Sequence, residues 1–198
     1  MWIMPSRKRP NNVRRFFEKY RETKGSTPGV IVIDDTDPQI EDYKSLDYPE
    51  GWSLEIYPEC PMVSRLNQSF SRHIGLDWYG SLDDDSVPET DYWDKKLVEA
   101  AGKDKIAHCH NGISNEKLVC QYAIGGELAR KIGWLLLPGT KRTFGDNAIT
   151  DVGRKLNAIV YLPDVKLTLI TFMSEADWQR CGFLTLPASQ SDATLHNV

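Results

Sequence analysis

The sequence is poor in the features that mark several common protein classes. Only four cysteines occur in 198 residues, Cys60, Cys109, Cys120 and Cys181. They are too few and too irregularly spaced for a disulfide scaffold or a zinc knuckle, so a reduced, intracellular protein is expected. No stretch approaches the ~20 uninterrupted apolar residues of a membrane helix, and residues 1–10 lack the apolar core of a secretion signal. A soluble, cytoplasmic protein without a membrane partner is the expectation. Charge of one sign is also scarce: 24 Lys and Arg stand against 28 Asp and Glu, a net of -4. That balance supplies no broad cationic field for wrapping nucleic acid. There is no Walker loop, no dinucleotide glycine fingerprint and no Gly-x-Ser-x-Gly elbow, which removes the commonest enzyme readings of an α/β chain. No repeat or low-complexity linker divides the sequence, and oligomeric state cannot be read from it.

What is present is a regular succession of strand and helix patterns. A chain of this size buries roughly 70% of its unfolded surface, so residues 1–198 are expected to form a single domain. Trp2-Ile3-Met4 reads as a first strand. A helix begins near Pro10, with Val13, Phe16, Phe17 and Tyr20 on one face. Val30-Ile31-Val32-Ile33 is a β-branched run suited to a strand buried on both faces. Residues 52–57 form a further strand, Val63, Leu66, Phe70 and Ile74 line a helix, and residues 78–82 read as another buried strand. A helix is expected to start close to Asp91. Later come a strand over 118–122, a helix over 127–132 stopped by Gly133, the apolar run 134–137, a mobile loop over 141–144 and a helix over 147–156. Strands over 158–162 and 165–172 follow, then a frayed tail from about residue 187. Strand and helix in alternation predict an α/β fold with a mostly parallel central sheet flanked by helices.

Two acidic clusters follow apolar strands directly, Asp34, Asp35 and Asp37, then Asp83, Asp84 and Asp85. In an open α/β sheet the carboxyl ends of parallel strands border the ligand crevice, so the clusters can meet there and hold a hard divalent cation that neutralises a diphosphate. Aspartate is also an ordinary turn and cap residue, and either cluster alone reads more readily as structure; the shared strand-end context of the two brings the functional reading level with it. The order His108, Cys109, His110 fits no closed zinc site, because alternation separates the cysteine from the histidines. Arg7, Lys8, Arg9, Arg14 and Arg15 form a basic cluster that is either a solvated helix start or, through Arg9, a phosphate contact. Trp52, Trp78, Tyr79, Trp93 and Trp134 read as core or rim residues, with sugar stacking as the functional alternative.

The landmarks together resemble the small family-two-like glycosyltransferases of the A-type, Rossmann-like fold found in bacteriophages and bacteria. The resemblance starts at Pro5-Ser6-Arg7-Lys8-Arg9-Pro10-Asn11 and continues through Val32-Ile33-Asp34-Asp35-Thr36-Asp37-Pro38. It is most specific at Tyr79-Gly80-Ser81-Leu82-Asp83-Asp84-Asp85, followed by Pro88 and Trp93-Asp94. It then runs through Gly125-Gly126-Glu127, Phe144-Gly145-Asp146-Asn147 and Thr150-Asp151-Val152-Gly153 to Tyr161-Leu162-Pro163-Asp164-Val165. It implies that Asp34 and Asp35 lie beside the base and ribose of a nucleotide-sugar donor. Arg9 and Lys8 line the nucleotide pocket, and Arg65 and Asn67 make donor-side contacts. Asp83, Asp84 and Asp85 form the metal and diphosphate motif, with Asp83 and Asp85 toward Mn2+ or Mg2+. Asp146, in preference to Asp151, is the implied catalytic base.

The expected activity is transfer of a sugar from a nucleoside diphosphate sugar, uridine-linked by resemblance, to a hydroxyl acceptor with inversion. A modified DNA base, and with it a host cytoplasm, follows from the phage analogy. Similar proteins place one or two histidines after the Asp-Val stretch to complete the metal site, whereas this chain reads Lys166-Leu167-Thr168-Leu169-Ile170-Thr171-Phe172. A noncatalytic nucleotide-sugar binding protein and a nucleotidyltransferase or metal-dependent phosphohydrolase therefore stand as alternatives.

Overall fold

The computed structural model describes residues 1–140 and 145–170. The first half alternates as the periodicity predicts: β1 (Trp2–Pro5), α1 (Pro10–Glu22), β2 (Gly29–Asp34), a short α2 (Ile40–Lys44), β3 (Trp52–Tyr57), α3 (Met62–Arg72) and β4 (Trp78–Ser81). After it come β5 (Ser86–Pro88), α4 (Trp93–Ala101), β6 (Ile106–His110), β7 (Tyr122–Gly125), α5 (Gly126–Ile132), α6 (Gly145–Lys155) and β8 (Ile159–Leu169). Pro10 opens α1 at a position where no backbone N–H is required. Gly133, at φ 81°, closes α5 in the left-handed region that a glycine adopts without strain.

The strands order as β3-β2-β1-β4-β7-β6-β8-β5. β3, β2, β1 and β4 run parallel. β7 is antiparallel to both β4 and β6, β8 is parallel to β6, and β5 is antiparallel to β8. The sheet is therefore mixed, which corrects the expectation of a mostly parallel one. Apolar runs report burial on both faces but not direction. Direction is set by the connection, and residues 111–121 return through a turn at Asn115–Lys117 to the edge they left. Without a crossover helix, the next strand has to run back antiparallel.

Several boundaries also differ. The strand expected over 118–122 begins at Tyr122, and the helix expected near Asp91 begins at Trp93 after a left-handed Tyr92 with φ 57°. α3 stops at Arg72, leaving Ile74 61% exposed rather than on its apolar face. The two last strands are one, β8, with a bulge that passes from Leu162 to Lys166 against Cys109 and His110 and absorbs Pro163, which cannot donate to a ladder. The loop expected over 141–144, residues 171–172 of the last strand and the tail from 187 lie outside the described residues.

Alternation in β1 and β2 divides the core. Trp2, Met4, Ile31 and Ile33 pack with Phe16, Phe17, Tyr20 and Trp93, whereas Ile3, Val30 and Val32 pack with Val63, Leu66 and Phe70 on the opposite face. On the first face the Trp2 ring lies 5.2 Å from that of Trp93 and its Nε1 donates to Thr27 Oγ1 at 2.7 Å. Asp94, fully buried, accepts from the Thr27 hydroxyl and from the amides of Ser26 and Thr27, each at 2.7 Å. These contacts fix the start of β2, and with it the height at which Asp34 leaves the sheet.

Candidate active site

From β1 the chain proceeds outward to β2 and β3, then crosses back to β4 on the other flank of β1. Connections that diverge in this way leave a crevice at the carboxyl ends of the two strands. Three segments border it: 6–9 after β1, 34–37 after β2 and 82–85 after β4. Because β7 runs the other way, its amino end delivers Cys120 and Gln121 to the same edge. β8 arrives there too, where the Ile170 amide donates to the Asp85 carbonyl at 3.1 Å.

On the β2 side Asp34 is a fully buried hub. Its Oδ2 accepts from Arg65 at 2.5 Å and from Arg7 at 3.0 Å, and its Oδ1 accepts from the Thr36 hydroxyl at 2.7 Å and the Thr36 amide at 3.2 Å. Burial alone pushes this carboxyl up, but the Thr36 hydroxyl and the two guanidiniums outweigh it and hold the group below the usual carboxylate range. Asp35 is exposed beside it. Asp37 accepts from the Lys8 amide at 2.7 Å, which supports Lys8 in a left-handed conformation with φ 56° and leaves its side chain exposed. Asp84 accepts from the Ser6 hydroxyl at 2.6 Å and lies 3.2 Å from Arg9 Nε, while Tyr43 Oη meets Ser6 Oγ at 2.6 Å and accepts from the Arg9 amide at 3.0 Å. The middle aspartate of the triplet thus holds the loop after β1 in place.

On the β7 side the carboxylates crowd. Burial, then Asp85 and Asp146, raise the Asp83 carboxyl well above its ordinary range, although Gln121 Nε2 donates to its Oδ2 at 2.7 Å. Asp146, in the first turn of α6, is pushed up to about 6 by burial, against a hydrogen bond from Cys120 that pulls it down. Burial also drives the Cys120 thiol up to about 12, so it serves Asp146 as a neutral donor.

Among the described residues no three His, Cys, Asp or Glu side chains converge on one metal position. The chemistry nevertheless fits a hard divalent cation. Such ions are commonly held by one or two carboxylates plus substrate phosphates rather than by a complete protein cage. Asp83 and Asp85 supply the carboxylates. Gln121 is 2% exposed and its Oε1, buried beside Asp83, has no hydrogen-bond partner among the described residues, so it is an oxygen donor without an assignment there.

The structure thus brings Asp83, Asp85 and Asp146 together, and gathers Lys8, Arg9, Asp34, Asp35, Arg65 and Asp84 at the same sheet edge. Asn67 and Asp151 are placed otherwise. The Asn67 amide pins the apolar loop after α5, accepting from the Leu135 and Leu136 amides at 3.0 and 3.2 Å and donating to the Leu136 carbonyl at 2.7 Å. Asp151 is exposed on α6. His108 is buried with no hydrogen-bond partner on either ring nitrogen among the described residues, and burial depresses it to about 4. Arg7, Ser6, Tyr43, Cys120 and Gln121 were not singled out from sequence as contributors to this edge. Arg7 had a signal in its place between Ser6 and Lys8 at a strand end, whereas Gln121 had none until the direction of β7 was known.

This α/β architecture, with a mixed, curled sheet, matches that of solved nucleotide-diphospho-sugar transferases. A mannosyltransferase from Pyrobaculum calidifontis, solved with GDP-Man and Mn2+, superposes with a TM-score of 0.65 at 13% identity, over 100% of this chain and 64% of that one. Rv0371C of Mycobacterium tuberculosis H37Rv, solved with manganese, gives 0.58 at 10% identity over 90% of this chain and 95% of that one. A CMP:2-keto-3-deoxy-manno-octonic acid synthetase bound to CTP gives 0.52 at 10% identity over 83% and 90%. No family model matches the sequence, and no curated protein matches it. At these identities the likeness is one of fold. Among the described residues no helix is long and apolar enough to cross a membrane.

Proposed function

We propose that this protein transfers a sugar from a nucleoside diphosphate sugar to a hydroxyl acceptor, with inversion at the anomeric carbon. The observation that carries the reading is the crowding of Asp83 by Asp85 from its own segment and by Asp146 from the β7 side, beside an edge lined by Arg7, Lys8 and Arg9. The mannosyltransferase solved with GDP-Man and Mn2+ supports it by sharing the fold. The acceptor oxygen attacks the anomeric carbon, the bond from that carbon to the diphosphate oxygen breaks, and the hydroxyl proton passes to Asp146. A carboxyl held near 6 by burial is suited to take that proton at neutral pH. The Cys120 hydrogen bond orients it. Asp83 and Asp85 would hold Mn2+ or Mg2+, with Gln121 at hand, and the bound cation supplies positive charge against the departing diphosphate.

Nucleotidyl transfer is the second reading, favoured by the fold shared with the CTP-bound synthetase. Calorimetric titration with GDP-mannose, UDP-glucose and UDP-galactose, with and without Mn2+, on the parent and Asp85→Asn tests the donor site. Metal-enhanced binding lost in Asp85→Asn is expected, and binding indifferent to both changes sinks the proposal. During turnover with an acceptor, intact nucleoside diphosphate marks sugar transfer, whereas pyrophosphate or nucleoside monophosphate marks the competing chemistry.

A further inference from the structure

The network around Asp34 bears on which nucleobase the site accepts, a question that rests on the donor-binding reading above. The cation that Asp83 and Asp85 would hold sets the diphosphate at the β4 end, and Asp146 on the β7 side would repel further phosphate, so the nucleoside extends toward β1 and β2. Two strand spacings, about 10 Å, separate the β4 and β2 ends. That span suits a diphosphate at Asp83 and Asp85 with its base at Asp34.

At that end both oxygens of Asp34 are doubly engaged, by Arg65 and Arg7 on one and by the Thr36 amide and hydroxyl on the other. A carboxylate so occupied has no acceptor left for the N3–H of uracil. The buried Arg65, 3% exposed, already compensates its charge. Arg7 is therefore a second cation on a satisfied anion. Its side chain is 38% exposed, and it gives one N–H to Asp34 Oδ2 and one, at 3.3 Å, to Thr36 Oγ1. Nη1 also lies 3.8 Å from the exposed Glu59 carboxylate; among the described residues the other N–H groups of its planar fork are unassigned, and they match two adjacent acceptors on a flat partner.

We infer that Arg7, and not Asp34, reads the donor's base, and that the site takes a base presenting two neighbouring acceptors, guanine through O6 and N7 or cytosine through N3 and O2. Uracil interposes N3–H between its two carbonyls, and adenine sets an amino group beside N1 and N7, so neither offers such a pair.

The test is calorimetric titration of GDP, CDP, UDP, ADP and pyrophosphate in the presence of Mn2+, on the parent protein, Arg7→Met and Arg7→Lys. GDP or CDP is expected to bind at least tenfold more tightly than UDP and ADP. Arg7→Met should erase that margin and leave pyrophosphate unchanged, and Arg7→Lys, which keeps the charge without the fork, should not restore it. UDP binding as tightly as GDP and CDP, or Arg7→Met weakening pyrophosphate as much as the nucleotides, overturns the assignment of Arg7 to the base while leaving the donor site standing. If no nucleotide binds, the donor-binding reading fails and the base assignment fails with it. A circular dichroism melt of both variants, with Asp34 still held by Arg65, separates these results from misfolding.

Discussion

Replacing Arg65 with methionine tests whether the Asp34 hub is as asymmetric as its geometry indicates. Arg65 is 3% exposed and its guanidinium lies 2.5 Å from a carboxylate that is fully buried. Breaking a buried pair from one side costs about 3–5 kcal/mol, because the other charge stays desolvated. Two features lower the figure here: Arg7 remains 3.0 Å from the same oxygen, and methionine removes a buried Arg65 Nε that has no partner among the described residues. The expected loss is about 2–3 kcal/mol, which in a chain of this length corresponds to a melting point lower by about 5–10 °C. Arg7→Met, at a half-exposed position, should cost about 1 kcal/mol or less. The double variant Asp34→Asn, Arg65→Met should be less damaged than the sum of its single changes by about 1–3 kcal/mol. The sign of the pH effect is also fixed. Asp34 has a depressed folded-state value, so its contribution is present above the ordinary carboxylate range and is lost as pH falls through the folded value. Arg65→Met should move that loss to higher pH. Thermal and urea melts from pH 3 to 7 measure all of this. An Arg65→Met protein that melts within about 1 °C of the parent, or an Arg7→Met protein damaged as severely as Arg65→Met, refutes the asymmetry.

Gln121→Leu should weaken Mn2+ binding about 10–100-fold with an unchanged far-ultraviolet spectrum. Electron paramagnetic resonance of free Mn2+ reads this directly, and undiminished affinity excludes Gln121 from the site. Asp146→Asn should lower kcat by about 10²–10⁴, and the parent's activity should fall as pH drops through about 6, where Asp146 takes up a proton. Asp151→Asn, on the exposed face of α6, should leave that limb where it is, and a limb that shifts in Asp151→Asn instead would reverse the assignment. Gly80→Ala would set a methyl group 2.0 Å from the ring of fully buried Trp2. Overpacking of that kind costs about 1–3 kcal/mol or more, and a urea midpoint equal to the parent's would show that the Trp2 stack has room to move.

The parallel half of the fold was legible because its signals are local. The run 30–33, the α1 face built on Phe16, Phe17 and Tyr20, and the alternation at 52–57 each depend on a few adjacent residues, and each fell where expected. The second half depends on pairing across long separations. β7 is four residues long and β5 three, too short to show a period, and their directions follow from loops whose sequences carry no direction. The candidate site divides in the same way. Asp83, Asp85 and Asp34 are readable because they follow strong strands. What they touch is not, since Arg65 reaches Asp34 across 31 positions and Gln121 reaches Asp83 across 38. The partners of Asn67 were hidden for the same reason, since the loop it pins lies 68 and 69 positions away.

The sheet's departure from parallel order and the appearance of Gln121 at the acidic motif are one fact. With Ser81 paired to Tyr122 in an antiparallel ladder, the residue before Tyr122 necessarily lies opposite Leu82, one position from Asp83. A parallel β7 would carry its amino end to the far side of the sheet and leave Asp83 to face the crevice alone. The chain segment that resembles the histidine-bearing stretch of similar proteins also reaches this point, with Leu169 paired to Ser86 and Ile170 bonded to Asp85, yet residues 166–172 offer no histidine. An amide oxygen arriving on β7 is a harder and weaker ligand than an imidazole, and suits Mg2+ and Mn2+ more than softer ions. Cation affinity in this site should therefore depend more on the diphosphate that shares it. Mn2+ titrations with and without a bound nucleoside diphosphate measure that dependence, and a cation held equally well in both conditions would show that the protein ligands suffice.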